Sequence, residues 1–368
     1  MHPAALSASQ MPSALTGAAH TVYMLQRLSC LFWLIAFAGC LHAGASRPTR
    51  IELIHSDELI IDRRGPEDMR RLIGKVHLRH EDTNMFCDSA WIYPASNSAR
   101  AFSNIFIQVS DTVSIYGDRL FFDGNTRIAN LTGNVRMIDN QMTLTTNRLI
   151  YDLNANTARY TTGGRIVDTE NTLVSREGFY NADLKDFFFR GDVELVNPEY
   201  VIQSDTLRYN TLSEVAWFFG PTTITSEENV IWCRNGWYDT RNDIARFSRD
   251  AWFSNGEQSI TGDTLFYDRR LGYGRAENNV ELRDSVQQTI ITGHFAEHFE
   301  ESGLSYVTRQ ALLTLISEGD SLFMHADTLL SRYDKHSDER SVFAYNRARF
   351  FRRDLQGLSD SIVYHFSD

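Results

Sequence analysis

Gly117-Asp118-Arg119-Leu120-Phe121-Phe122-Asp123 returns, little altered, as Ser204-Asp205-Thr206-Leu207-Arg208-Tyr209-Asn210 and again as Gly262-Asp263-Thr264-Leu265-Phe266-Tyr267-Asp268. With the second residue as anchor, copies fall at 57, 88, 118, 147, 176, 205, 234, 263, 294, 327 and 360. Successive spacings are 31, 30, 29, 29, 29, 29, 29, 31, 33 and 33, and five equal intervals in a row define a repeat architecture. The chain of 368 residues is therefore read as one array and not as the two or three domains its length alone suggests.

Three columns run through the array. The residue before each anchor is small: Ser56, Cys87, Gly117, Thr146, Ser175, Ser204, Cys233, Gly262, Gly293, Ala326 and Ser359. Small residues in register mark a line where the backbone bends or two walls approach. Three before the anchor stands an aliphatic column: Ile54, Met85, Ile115, Leu144, Leu173, Ile202, Ile231, Ile260, Ile291 and Met324, broken only by Gly357. Side chains two apart on a strand share a face, so the small and aliphatic columns point the same way. Four after the anchor an aromatic column runs through Phe122, Tyr151, Tyr180, Tyr209, Tyr238 and Tyr267, and the next residue is usually the Asp or Asn of a closing turn.

A second strand signal follows about fifteen residues after the anchor, as in Gly133-Asn134-Val135-Arg136-Met137. Each unit thus predicts two long, bent strands, with no helix after the first 45 residues. At about 4.8 Å per strand, eleven such units make a rod on the order of 100 Å long. Its apolar stripe has two readings: the dry core of a closed β-solenoid, or the lining of an open trough for a long apolar ligand. Periodicity does not separate them.

These phrases, with Leu131-Thr132-Gly133-Asn134-Val135-Arg136, resemble the OstA-like family, and the resemblance runs over essentially all of 50–368. That family includes the periplasmic LptA-type bridge and the amino-terminal domain of the lipopolysaccharide translocon. The resemblance implies an all-β, elongated repeat β-jellyroll, or β-taco, of about eleven units of 29–33 residues. Its strands would be mostly antiparallel and it would be open at both ends. It also implies a non-enzymatic bridge in the periplasm, whose interior carries lipopolysaccharide acyl chains to the outer membrane, and whose modules join end to end by strand pairing. The aliphatic column from Ile54 to Met324 would then line the lipid path. The alternative is a closed β-solenoid serving as a structural or adhesive rod.

Ahead of the array, Arg27 precedes the apolar run from Leu28 to Ala38, and Ala43-Gly44-Ala45 follows, which is the layout of a secretory signal peptide over 24–45. Residues 1–23 fit poorly before such a signal, and Met24 makes the better start. Phe37-Ala38-Gly39-Cys40 offers a rival reading as a lipobox, with Cys40 lipidated. The array then occupies 46–368, its last unit incomplete: Ser359-Asp360-Ser361-Ile362-Val363-Tyr364 reads as a first strand without its partner, a docking edge or the mark of a truncated chain.

The rest of the sequence narrows the chemistry. A net charge of −11 lacks the basic stripe that phosphate backbones require, so no nucleic-acid partner is expected. His294-Phe295-Ala296-Glu297-His298 matches a zinc-protease pattern, but the repeat places it on a strand, where residues four apart are about 13 Å distant and cannot share a metal. Cys87 and Cys233 lie five units apart, roughly 50 Å by the strand spacing, too far for a disulfide. The recurrent Asp residues read as turn and bend caps, because a catalytic pair should be a local exception. No P-loop, nucleophile elbow or dinucleotide fingerprint occurs, and no cofactor is expected. Phe187-Phe188-Phe189 and Trp217-Phe218-Phe219 put aromatics on both strand faces, for which packing against a second layer is the expected use.

Overall fold

The computed structural model describes residues 49–62, 68–140, 142–227, 229–317, 320–334 and 339–366. The readings of 1–23 as an extension, of 24–45 as a signal and of Cys40 as a lipid anchor lie outside these residues. From Pro48 onward the chain is one compact unit. Its described residues form a single sheet of 24 strands, every pairing antiparallel, and the pairs follow chain order apart from the short strands at two places. No helix occurs among the described residues. The all-β array with two strands per repeat is as the spacing predicts.

Each strand of eleven or so residues is bent at its middle. In Val113–Asp123 the buried residues are Val113, Ile115 and Gly117 before the anchor Asp118, and Leu120 and Phe122 after it. The inward parity shifts by one residue at the anchor, so both arms of the strand turn the same face toward a common interior. We call the half carrying Ile115 the aliphatic arm and the half carrying Phe122 the aromatic arm; the line of anchors is the crease.

The return strand makes the bend with a bulge. In Ile128–Asp139, the residues Gly133 and Asn134 take positive φ of 80° and 45°, and register shifts between Thr132 and Val135. Glycine is favoured at 133, since a Cβ there would press on the Asp118 carboxylate and need a left-handed backbone, although Ser103, Arg249, Asn278 and Arg309 adopt that backbone in other units. Asn134 Nδ2 donates to Asp118 Oδ2 at 2.8 Å, tying bulge to anchor. The same bond joins Asn104 to Asp88 at 2.8 Å and Asn279 to Asp263 at 3.1 Å. Where the anchor is basic the bulge is acidic: Arg176 meets Asp192 at 2.8 Å and Arg234 meets Asp250 at 3.3 Å. The hairpins at the aromatic tips close by side-chain turns, as with Asp123 Oδ1 accepting from Asn125 N at 2.9 Å and Asp152 Oδ1 from Asn154 N at 2.8 Å.

One repeat departs from the pattern. Between Thr157 and Asn181 two long strands are each broken at the crease, into Thr157–Tyr160 with Gly164–Val167, and Thr172–Ser175 with Glu177–Asn181. The Tyr160 ring fills the break. It lies over Gly164 and Gly178, at either of which a Cβ would overlap it, and its hydroxyl bonds Ser175 Oγ at 2.6 Å.

The aromatic clusters correct one expectation. Phe187, Phe189 and Phe218 point into the interior and are buried, while Phe188 and Phe219 face outward and are exposed. Among the described residues no second layer covers the outer face, so the clusters are not packed there. The outward rings lie instead in rows across the sheet.

Candidate functional site

The apolar interior between the two arms is the candidate site. It is built by the aliphatic column and by the residues facing it from the return strands. Ile115 pairs with Ile107 and Met137, Ile260 with Phe253 and Leu282, and Ile291 with Leu282 and Leu313. Below them, at the crease, Cys233, Ala251, Ala276, Val280 and Ala311 are buried.

The column is not uniform. Met85, Ile115, Leu144, Leu173, Ile202 and Met324 are buried, with Ile115 fully so. Ile231, Ile260 and Ile291 are only half-buried, as are Phe253, Leu282 and Tyr238 around them. Ile54, at the leading edge, is 44% exposed. The aromatic column follows the same course, from Phe122 and Tyr151 sealed inside, through half-buried Tyr209 and Tyr238, to Tyr267 in the open. So between about Ile231 and Ile291 the crease is closed while the lips stand apart. From Leu72 to Leu207 the arms meet. An interior cavity of about 10 Å³, lined by Met137, Leu144, Tyr160, Ile166, Tyr180 and Phe187 among others, has room for no more than about one water.

Polar groups at the lips hold the first stretch shut. Asp139, 4% exposed at the tip of an aliphatic arm, accepts from the Tyr180 hydroxyl at 2.6 Å and lies 3.4 Å from Lys185 Nζ, both on the aromatic arm. Burial, and next the bond to Asp139, raise the Tyr180 hydroxyl above the usual phenol range. Glu81 and Arg127 pair across the lips at 2.8 Å. His80 and Asn97 are joined through the Thr49 carbonyl at 2.9 and 3.0 Å, and the His80 ring sets its edge against Phe122. Asp284 and Arg340 also meet at 2.8 Å, a clasp on the strand of Leu282 in the half-buried stretch itself. Apart from Tyr180 of the aromatic column, these clasp residues lie outside the repeat columns, and sequence reasoning missed the contacts. The one signal is that 127 − 81 and 185 − 139 both equal 46, which is not a multiple of the repeat.

Burial pushes the thiols of Cys87 and Cys233 up to about 12, so both remain protonated packing groups of the small column. His294 and His298 lie on the continuous strand Thr289–Phe299, where His298 Nδ1 pairs with Ser305 Oγ at 2.9 Å. The interior holds apolar side chains at equivalent positions along its length.

The family model for OstA-like proteins matches residues 48–205. The match ends at Asp205, before the stretch in which the lips part. No curated protein matches the chain. Among solved structures, the chain is similar to LptH of Pseudomonas aeruginosa, described as the LptA-homologous periplasmic component of the lipopolysaccharide transport device. The identity is 14%, over 29% of this chain and 81% of that one, with a TM-score of 0.27.

Proposed function

Residues 48–205 are an OstA-like region, and from that premise we propose that the chain is a non-enzymatic periplasmic bridge carrying lipopolysaccharide to the outer membrane in its apolar interior. The observation that carries the reading is the run of half-buried aliphatics, Ile231, Ile260 and Ile291, above a crease sealed by Cys233 and Ala251. A trough of this kind takes acyl chains between its lips and leaves the headgroup in water. Each buried CH₂ gains about 0.8 kcal/mol, and equivalent sites spaced by the repeat let a chain slide without losing contact. No covalent step and no cofactor enter this mechanism.

Both ends of the sheet suit joining to other β modules. Leu59, Ile60 and Ile61 are exposed on Glu58–Asp62, and Leu355, Leu358 and Val363 on Leu355–His365, the first and last parts of the described sheet. Strand addition there would join the sheet to that of the next module. Export through the segment 24–45, with or without lipidation at Cys40, belongs to the same reading.

The packed stretch from Leu72 to Leu207 supports the second reading, a closed structural or adhesive rod. Photocrosslinking in cells from a probe at Ile260 separates the two. The conduit gives a lipopolysaccharide adduct at Ile260 and none from the outward, exposed Arg246. A folded protein whose Ile260 probe captures only its own side chains would leave the rod.

A further inference from the structure

The outer face of the aromatic arm carries a pattern that the interior does not explain. Register sets Arg71 opposite Trp91, Trp91 opposite Arg100, and Arg100 opposite Phe121, one outward side chain per strand. Arg100 lies over the Phe121 ring at 5.9 Å. The row runs on, three strands later, to Arg159 opposite Ile150, and continues beyond it through Phe179 and Phe188 to Arg208. In the adjoining register Phe102 faces Arg119, and Arg148 faces Thr132. Arg71, Arg100, Arg119, Arg148 and Arg159 are all exposed, and among the described residues none of the five forms an ion pair with an acid. Six strand spacings of about 4.8 Å spread them over roughly 29 Å.

This is a cationic, aromatic stripe on a chain of net charge −11. We propose that it binds a linear anionic glycan, laid across the strands, with sugar faces on Trp91 and Phe121 and carboxylates on the guanidiniums. Arginine's planar fork suits carboxylate recognition, and the rings provide flat apolar surface beside it.

Two features select a polymer over an anionic bilayer. The stripe is narrow: two residues outward of Phe121 and Ile150, on the same face, stand Asp123 and Asp152 at the hairpin tips. A planar anionic surface would meet those carboxylates together with the arginines, whereas a chain can follow the stripe. On the other side, Asp118 and Asn147, next to Arg119 and Arg148, help to line an outer concavity of about 820 Å³ that also holds Asn104, Asn134 and Arg136. A sugar can enter a hollow of that size and a flat membrane cannot.

The test uses the full exported chain and hyaluronate, a linear glycan with one carboxylate per disaccharide, against polyglutamate and phosphatidylglycerol vesicles. Hyaluronate should bind, more weakly as salt rises. The combined substitution R100Q/R119Q/R148Q should weaken it at least about tenfold, and Trp91→Ala several-fold, with unchanged thermal melting for the exposed arginine variant. Equal binding of polyglutamate, preference for the vesicles, hyaluronate binding insensitive to R100Q/R119Q/R148Q, or no hyaluronate binding by the folded chain would each overturn the proposal.

Discussion

Ile115 and Ile260 occupy the same column of the same repeat, five units apart, yet one is sealed and the other half-open. Their immediate settings are alike: each is flanked by two apolar residues from neighbouring return strands, and each stands above a small residue, Gly117 or Gly262. Lip contacts occur in both stretches, Asp284 with Arg340 standing beside Ile260 and Ile291, but the closed stretch carries more of them. In the first stretch Asp139 is gripped by Tyr180 and Lys185, and Glu81 by Arg127. The facing residue also changes, from Ile107 to the bulkier Phe253. The comparison teaches that the repeat decides which side chains turn inward, while side chains at the tips decide how far the arms close over them.

The largest effect should come from putting a carboxylate at each of the two positions. Ile115→Asp places a charge with no partner where there is no solvent, and should cost about 4–5 kcal/mol, enough to threaten folding. Ile260→Asp places it where water already reaches and should cost only about 1 kcal/mol. Urea unfolding of the two variants measures the difference, and equal losses would mean that the interior is as closed at Ile260 as at Ile115. Ile202, attractive by register alone, is 5% exposed and belongs with Ile115.

Opening the clasp is the next test. Asp139→Ala leaves the Tyr180 hydroxyl and the Lys185 ammonium without their acceptor and should destabilise by about 2–3 kcal/mol, less than a wholly buried pair because Lys185 is a third exposed. It should also raise hydrogen exchange selectively around Met137 and Leu144, extending the open stretch into the closed one. Lys185→Met, which removes the 3.4 Å contact to Asp139 and the 3.3 Å contact to the Tyr180 hydroxyl but leaves the bond between those two, should cost about 1 kcal/mol.

The array, its strand pairs, its inward columns and its turn residues were legible in the sequence because each is local and recurs every 29 residues or so. The parity shift at Asp118 was half legible: the small column signalled a bend, but the two left-handed residues on the return strand came only with the structure. The clasps were not legible. They join residues 46 apart, as in Glu81 with Arg127, 41 apart in Asp139 with Tyr180, or 56 apart in Asp284 with Arg340, and none of these is a multiple of 29, so aligning the repeats on themselves never brings the partners together. Nor does periodicity carry the difference between Ile115 and Ile260, since both satisfy it equally.

Alkaline pH should act on the sealed parts. Burial pushes the thiols of Cys87 and Cys233 up to about 12, from 9.0, and the Tyr160 hydroxyl up to about 12, from 10.0. Each group holds its proton more tightly when folded than unfolded. The stability this contributes is complete below the unfolded values and is lost as pH rises from about 9 toward 12. Stability from urea unfolding should therefore hold steady up to about pH 8.5 and then fall, by about 2–3 kcal/mol for each cysteine and about 1–2 kcal/mol for Tyr160 by pH 11. Cys87→Ala should flatten part of that fall; a profile that it leaves unaltered would place the loss elsewhere.

The smallest effect tests the crease itself, which the closed and open stretches share. Asp118 with Asn134 serves the closed part and Arg234 with Asp250 the open part, and Arg176 with Asp192 lies between them. If the crease needs any complementary pair across the bulge, the sign of the charges is free. Arg176→Asp alone sets two carboxylates together and should cost about 0.5–1 kcal/mol, limited because both side chains are more than two-thirds exposed. Adding Asp192→Arg should restore stability to within about 0.3 kcal/mol, a coupling that a double-mutant cycle reads directly. A swap that fails to recover would mean that Asp192, at φ 48° beside Gly191, is held for its backbone and not for its charge. The bend would then be set by the left-handed residues alone, in closed and open stretches alike.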